Sequence, residues 1–171
     1  MKLLPQDAVV VLAVALHPEQ STLAQLAADL GLSGSQVHYA VERARVAGLL
    51  VQSVLRANVP NALEFLIHGL RYVFPAELGP IVRGVPTAHC APVLREAVSP
   101  GEHLYVWPHP HGKHRGIEVK PLHKCVPAAA LRDHALYDAL ACVEALRVGA
   151  ARERKIAAHK LKELLEDAAL Q

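Results

Sequence analysis

The chain has 171 residues, 52% of them hydrophobic and 20% charged, with a formal net charge of +2. That length and composition bury one substantial core or two small ones, which excludes intrinsic disorder and predicts a folded, soluble protein. The first sixty residues set Lys2, Arg43, Arg45 and Arg56 against Asp7, Glu19, Asp29 and Glu42, so no broad basic footprint advertises nucleic acid.

The first element in chain order is the apolar run Ala8 to Leu16. Pro5, Gln6 and Asp7 precede it, Lys2 is the one basic residue ahead of it and no clean cleavage site follows, so a secretory leader is not expected. It is also far short of the roughly 20 residues a membrane span requires. It reads as a buried helix, with no membrane partner. Cys90, Cys125 and Cys142 lack CxxC spacing and give no disulfide framework, which suits a reducing cytoplasm.

The most informative stretch runs from Thr22 to Leu50. Thr22 with Gln25 and Ser33 with Gln36 have capping-box spacing and specify two helix starts eleven residues apart. Gly31 can take the left-handed conformation that ends the first helix, and Ala27 is small where two helices must approach closely. Leu23, Leu26, Leu30, Val37, Ala40, Val41 and Ala44 supply an apolar seam. These features in register specify a helix-turn-helix.

The stretch resembles winged helix-turn-helix regulators of the MarR-like type, whose second helix tends to end in an "AGLL" or "AGLV" phrase leading into the wing. Here that phrase is Ala47-Gly48-Leu49-Leu50, followed by Val51 to Asn58, and the resemblance covers about a third of the chain. It implies a DNA-recognition helix from Ser33 to Ala47. Core-facing positions then leave Ser33, Ser35, Gln36, His38, Tyr39, Glu42, Arg43 and Arg45 on the exposed face. Gln36 suits an adenine edge, Arg43 a guanine edge or phosphate, and Ser33 and Ser35 a phosphate at the helix N-terminus. The wing offers Arg56 and Asn58 before Val59-Pro60 closes it. A single module buries little surface, so a homodimer with two recognition helices is expected. The alternative is a solvated helix face on a winged helix that binds protein instead.

Ala62, Leu63, Leu66, Ile67, Leu70 and Val73 form a short helical segment, read either as dimer surface or as closure of the monomer core. The stretch from Pro75 to Pro127 is rich in Pro, Gly and His, which excludes long helices. Within it, His103 to Trp107 and Gly116 to Lys120 alternate as short strands around a loop at residues 108–115. Helical spacing resumes at Leu136, Leu140, Val143 and Leu146, then beyond Gly149 at Ile156, Leu161, Leu164, Leu165 and Ala168, as two helices. Arg152, Arg154 and Lys155 open the second of these, with Arg147 upstream. Cations there oppose the helix dipole, so they are candidates for a phosphate or a partner; a solvated basic turn offset by Glu144 and Glu153 is the alternative.

The stretches from Phe74 to His89 and from Ala145 to Arg154, together with the winged helix, look like MarR-like proteins encoded beside a nucleotidyltransferase-type toxin. The resemblance implies an antitoxin or autoregulator whose C-terminal half holds that toxin. Among eleven histidines, His109, His111 and His114 are the compact candidates for Zn²⁺, but no paired-ligand knuckle accompanies them. Structural or surface histidines fit the spacing better. Nucleophile elbow, phosphate loop and HExxH are all missing, so neither enzyme activity nor a cofactor is expected.

The sequence thus predicts an α+β, mostly helical fold. Residues 1–60 are expected as the DNA-binding domain and residues 61–171 as a dimerisation or partner-binding region with a small Pro/His-rich β segment. The expected function is that of a homodimeric, cytoplasmic transcriptional regulator acting on double-stranded DNA. A metal-binding module and a protein-interaction adaptor are the competing readings.

Overall fold

A computed structural model describes residues 1–19 and 22–171. The chain is α+β and mostly helical, with one small three-stranded sheet. Helix α1 (Pro5–Leu16) is buried from Asp7 to Leu16 on every side. An apolar residue at each position from Ala8 to Leu16 leaves the helix no solvent face there, so the remaining elements assemble around it. Helices α2 (Leu23–Leu30) and α3 (Gly34–Val46) pack on one side, and α8 (His134–Val148) and α9 (Ala151–Ala169) on another.

One apolar cluster therefore runs from Ala8 to Ala168. The parts expected as residues 1–60 and 61–171 share a single core, because α1 serves both.

Two turns follow α3. Gly48 takes φ 75°, where a Cβ would be strained, and an antiparallel bridge, Leu50 to Ala57, closes a hairpin-like loop over the residues between them. Helix α4 (Val59–Glu64) continues through a π-turn at Phe65–Gly69 into α5 (Leu70–Val73). Ala62, Leu63, Leu66 and Leu70 are buried there. Of the two readings of this segment, closure of the monomer core is the one realised at these positions, while Val73 is exposed.

Strand β1 (Leu78–Pro86) lies antiparallel to both β2 (Tyr105–Pro108) and β3 (His114–Val119), and β2 pairs briefly in parallel with β3. The expected strands around residues 103–107 and 116–120 correspond to β2 and β3. Strand β1 carries Pro80, Gly79, Gly84 and Pro86, which mask its strand character. Gly84 faces Pro108 and His114 at once, and a Cβ there would overlap the Trp107 carbonyl.

The sheet is fixed to α8 by polar contacts as well as packing. Trp107, fully buried, donates from Nε1 to Glu144 Oε2 at 3.2 Å, and Tyr137 donates its hydroxyl to the Pro86 carbonyl at 2.5 Å. Burial pushes the Tyr137 phenol up to about 12 and raises the Glu144 carboxyl, which Arg147 and Trp107 pull back down. Helix α7 (Val126–Arg132) leads into α8, and Asp133 between them caps α8 through Leu136 N while its other oxygen lies 2.7 Å from His17 Nε2.

A 3-10 turn at Ala88–Cys90 and the short α6 (Pro92–Arg95) follow β1. Ala88 holds φ 55°, and His89 is buried beside Tyr105. Burial lowers the affinity of His89 and His123 for a proton, against a smaller opposing field from Glu153 at His89. In the unfolded chain both imidazoles take up a proton near their ordinary value of 6.5; in the folded chain they do so only at lower pH. Their contribution to stability is therefore complete above that value and is lost as pH falls through the window below it. Urea unfolding between pH 7.5 and 5 is expected to show falling stability, with a shallower slope in His89→Gln; an identical slope in the variant would remove His89 from the account.

Candidate nucleic-acid interface

Each half of the α2–α3 corner is fixed by local chemistry. Thr22 Oγ1 accepts from Gln25 N at 3.1 Å, while the Gln25 side chain turns to Asp29, so this cap works in one direction only. At α3 the box is complete: Ser33 Oγ accepts from Gln36 N at 3.1 Å, and Ser33 N donates to Gln36 Oε1 at 2.9 Å. Gly31 sits at φ 65° and its N–H returns to Ala28, while Leu32 N donates to Ala27 O. Leu26, Leu30, Val37, Ala40, Val41 and Ala44 form the buried seam.

The structure sorts the candidate contact residues into two groups. Ser33, Ser35, His38 and Tyr39 are exposed, with the His38 and Tyr39 rings edge-on at 5.4 Å. Arg56 is exposed on the hairpin. The others serve the fold. Gln36 is held in the capping box. Asn58 accepts from Asn61 N and caps α4 instead of extending from a wing. Arg45 pairs with Glu42 at 2.9 Å along α3.

Arg43 is the clearest correction. Expected on the exposed face, it turns inward and forms a two-pronged pair with Asp7, Nε to Oδ2 at 2.8 Å and Nη2 to Oδ1 at 2.7 Å. The Asp7 side chain is 1% exposed and that of Arg43 14%. Helical spacing puts Arg43 at the seam's edge, where a long stem reaches back to the only carboxylate of α1. The Asp7 bond and charge push the Arg43 guanidinium above its ordinary range.

The C-terminal cations divide in the same way. Arg147 is not available to a phosphate or partner: its side chain is 5% exposed and pairs with Glu144 at 2.5 Å. It also donates to the carbonyls of Phe74 at 2.9 Å and Pro75 at 3.3 Å. Arg154 donates to the Gly149 carbonyl at 2.8 Å, tying off the α8–α9 corner. Arg152 and Lys155 are exposed, with no acidic partner among the described residues.

His109 and His111 have ring centroids 5.8 Å apart, and His109 Nδ1 accepts from His111 N. Among the described residues no three His, Cys, Asp or Glu side chains gather as metal ligands. The three cysteines are buried and unpaired; burial raises the Cys90 thiol and pushes Cys125 up to about 11 and Cys142 up to about 12. Thiols held neutral in this way are poor nucleophiles. Among the described residues no helix is long and apolar enough to cross a membrane.

A cleft of about 570 Å³ separates α1 and α2 from α7 and α8. Across it Arg132 donates to the Asp29 carbonyl at 2.8 Å and His17 meets Asp133, so both walls are tied together.

No protein-family model, curated protein or solved structure matches this chain.

Because the Asp7 carboxylate is buried, removing Arg43, its one cationic partner among the described residues, leaves an uncompensated charge. Arg43→Ala is expected to lower the unfolding free energy by about 3 kcal/mol, read from urea midpoints at pH 7. A change under about 0.5 kcal/mol, the range of ordinary surface substitutions, would mean that the pair does not hold α3 in place.

Proposed function

We propose that this chain is a sequence-specific DNA-binding regulator in which residues 22–58 act as a winged helix-turn-helix with α3 as the recognition helix. The observation that carries the reading is the α2–α3 corner: a capped second helix, set by Gly31 and anchored to the core by Arg43, presents Ser33, Ser35, His38 and Tyr39 outward. An anchored helix with a polar outer face suits insertion into a major groove, with Ser33 and Ser35 at phosphates and His38 and Tyr39 at base edges. The hairpin carrying Arg56 is the wing. A homodimer acting on its own operator, in the manner of an antitoxin, belongs to the same proposal and takes its support from the sequence resemblance.

A second reading has an observation behind it. Arg43 and Arg45 are both neutralised by acids, which leaves the corner with little free positive charge, as in winged helices that bind proteins.

The deciding experiment is a fluorescence-anisotropy titration of labelled DNA from upstream of the chain's own coding region, with nonspecific competitor and a salt series. Discrete binding that survives competitor is expected, and His38→Ala/Tyr39→Ala is expected to weaken it by 10- to 100-fold, roughly what loss of a base contact costs, with thermal stability unchanged. Operator affinity equal to that of competitor DNA in the wild-type protein would overturn the DNA reading in favour of a protein adaptor.

A further inference from the structure

In β1 and β3, Arg83 and Arg115 lie directly opposite one another across the antiparallel pair. Directly opposed residues share a face, and like charges in that arrangement destabilise a sheet. Both side chains are exposed, and neither has an ion-pair or side-chain hydrogen-bond partner among the described residues.

The loop at residues 109–113 adds to this charge. Lys113 is exposed and likewise without an acidic partner among the described residues. Arg83, His111, Lys113, His114 and Arg115 line one recess of about 580 Å³, completed by Pro110 and Gly112 and with no acidic residue in its lining. The loop is pressed onto the sheet: a Cβ on Gly112 would overlap the Gly84 backbone, and Gly112 N donates to His109 O at 3.0 Å. The cations are thus carried on a tight turn and two paired strands.

Several cations elsewhere are closely neutralised. Arg43, Arg45, Lys120 and Arg147 each have an acid within 4.0 Å. An unneutralised arginine pair set across a ladder is a cost that a bound polyanion removes. We infer that Arg83, Arg115 and Lys113 form a second nucleic-acid contact, a grip on the phosphodiester backbone of duplex DNA supplied by the C-terminal half. This rests on the DNA-binding reading of the α2–α3 corner and answers its charge deficit. The corner gives orientation and base contact, and the β1–β3 recess gives the sequence-independent electrostatic affinity. Two arginines spaced across a strand pair match successive phosphate oxygens better than a single enclosed anion, because the recess is open to solvent and guanidinium forks bind such oxygens bidentately.

The test uses the full chain and a 24-bp duplex of arbitrary sequence, titrated by anisotropy at about 0.05 to 0.3 M salt. Each neutralised phosphate contributes about 0.9 to the slope of log K against log salt. Arg83→Gln/Arg115→Gln is expected to reduce that slope by about 1.8 and to weaken binding roughly 10- to 100-fold near 0.1 M salt, with a melting temperature equal to or above the wild type. Lys113→Gln, on the loop, reads the same site without touching the ladder and is expected to lower the slope by about 0.9. Arg95→Gln/Lys124→Gln removes two exposed charges outside the recess and is expected to leave the slope unchanged.

A wild-type slope in both the arginine and the Lys113 variants would overturn the inference while leaving operator binding by α3 intact. An equal loss in the Arg95/Lys124 variant would also overturn it, because net charge would then be the cause. Recess-dependent binding of arbitrary duplex without any operator preference would sustain the recess and sink the recognition-helix reading. Absence of duplex binding by the wild type at the lowest salt would sink both.

Discussion

The ion pair between Asp7 and Arg43 is the constraint on which the arrangement depends. Helix α1 is apolar on all faces and lies inside the molecule, so packing alone gives it no unique rotation against its neighbours. Its one carboxylate removes that freedom. Asp7 accepts from Leu4 N at 2.8 Å at the start of α1 and from both arms of Arg43 on α3. A buried carboxylate cannot be left unpaired without a large cost. The angle at which α3 presents its outer face is thereby coupled to the rotation of α1, and through α1 to α8 and α9. The same side chain that looked like a base reader is the bolt that holds the candidate reader in place.

A second buried acid plays the corresponding part at the other end. Glu144 on α8 joins Trp107 of β2 to Arg147, and Arg147 reaches the carbonyls of Phe74 and Pro75, where the chain passes from α5 towards β1. The small sheet has too few residues to be stable by itself. It is held because Trp107 is buried against α8 and its indole N–H finds an acceptor there. Both buried acids thus fix orientation between elements that apolar packing would leave loosely specified.

These structural uses of charge explain the electrostatic character of the surface. Arg43 and Arg45 of α3 are neutralised within the fold, whereas Arg83, Lys113 and Arg115 are gathered on one tight end of the sheet without acids between them. Net charge is therefore a poor guide to where this molecule attracts anions. A balance of +2 is a sum over the whole chain and does not record which cations are paired and which are not.

What the sequence determined by itself was local. An unbroken apolar run placed α1 and periodicity placed α2, α3, α8 and α9, because such a run, a buried stripe at helical spacing and a Ser33–Gln36 box are properties of consecutive residues. Gly31 was legible for the same reason, since its left-handed turn is set by its own backbone. Strand β1 was not legible, because its glycines and prolines are explained only by the strands that crowd it on both sides. Tertiary structure alone decided the fate of the charged side chains. Arg43 and Arg147 are buried because a carboxylate or a carbonyl arrives from another part of the chain. Arg83 and Arg115, thirty-two residues apart in sequence, become neighbours only through the register of β1 on β3. Helical and turn preferences act over a few residues, whereas pairing of charges depends on distances that exist only once the chain has folded.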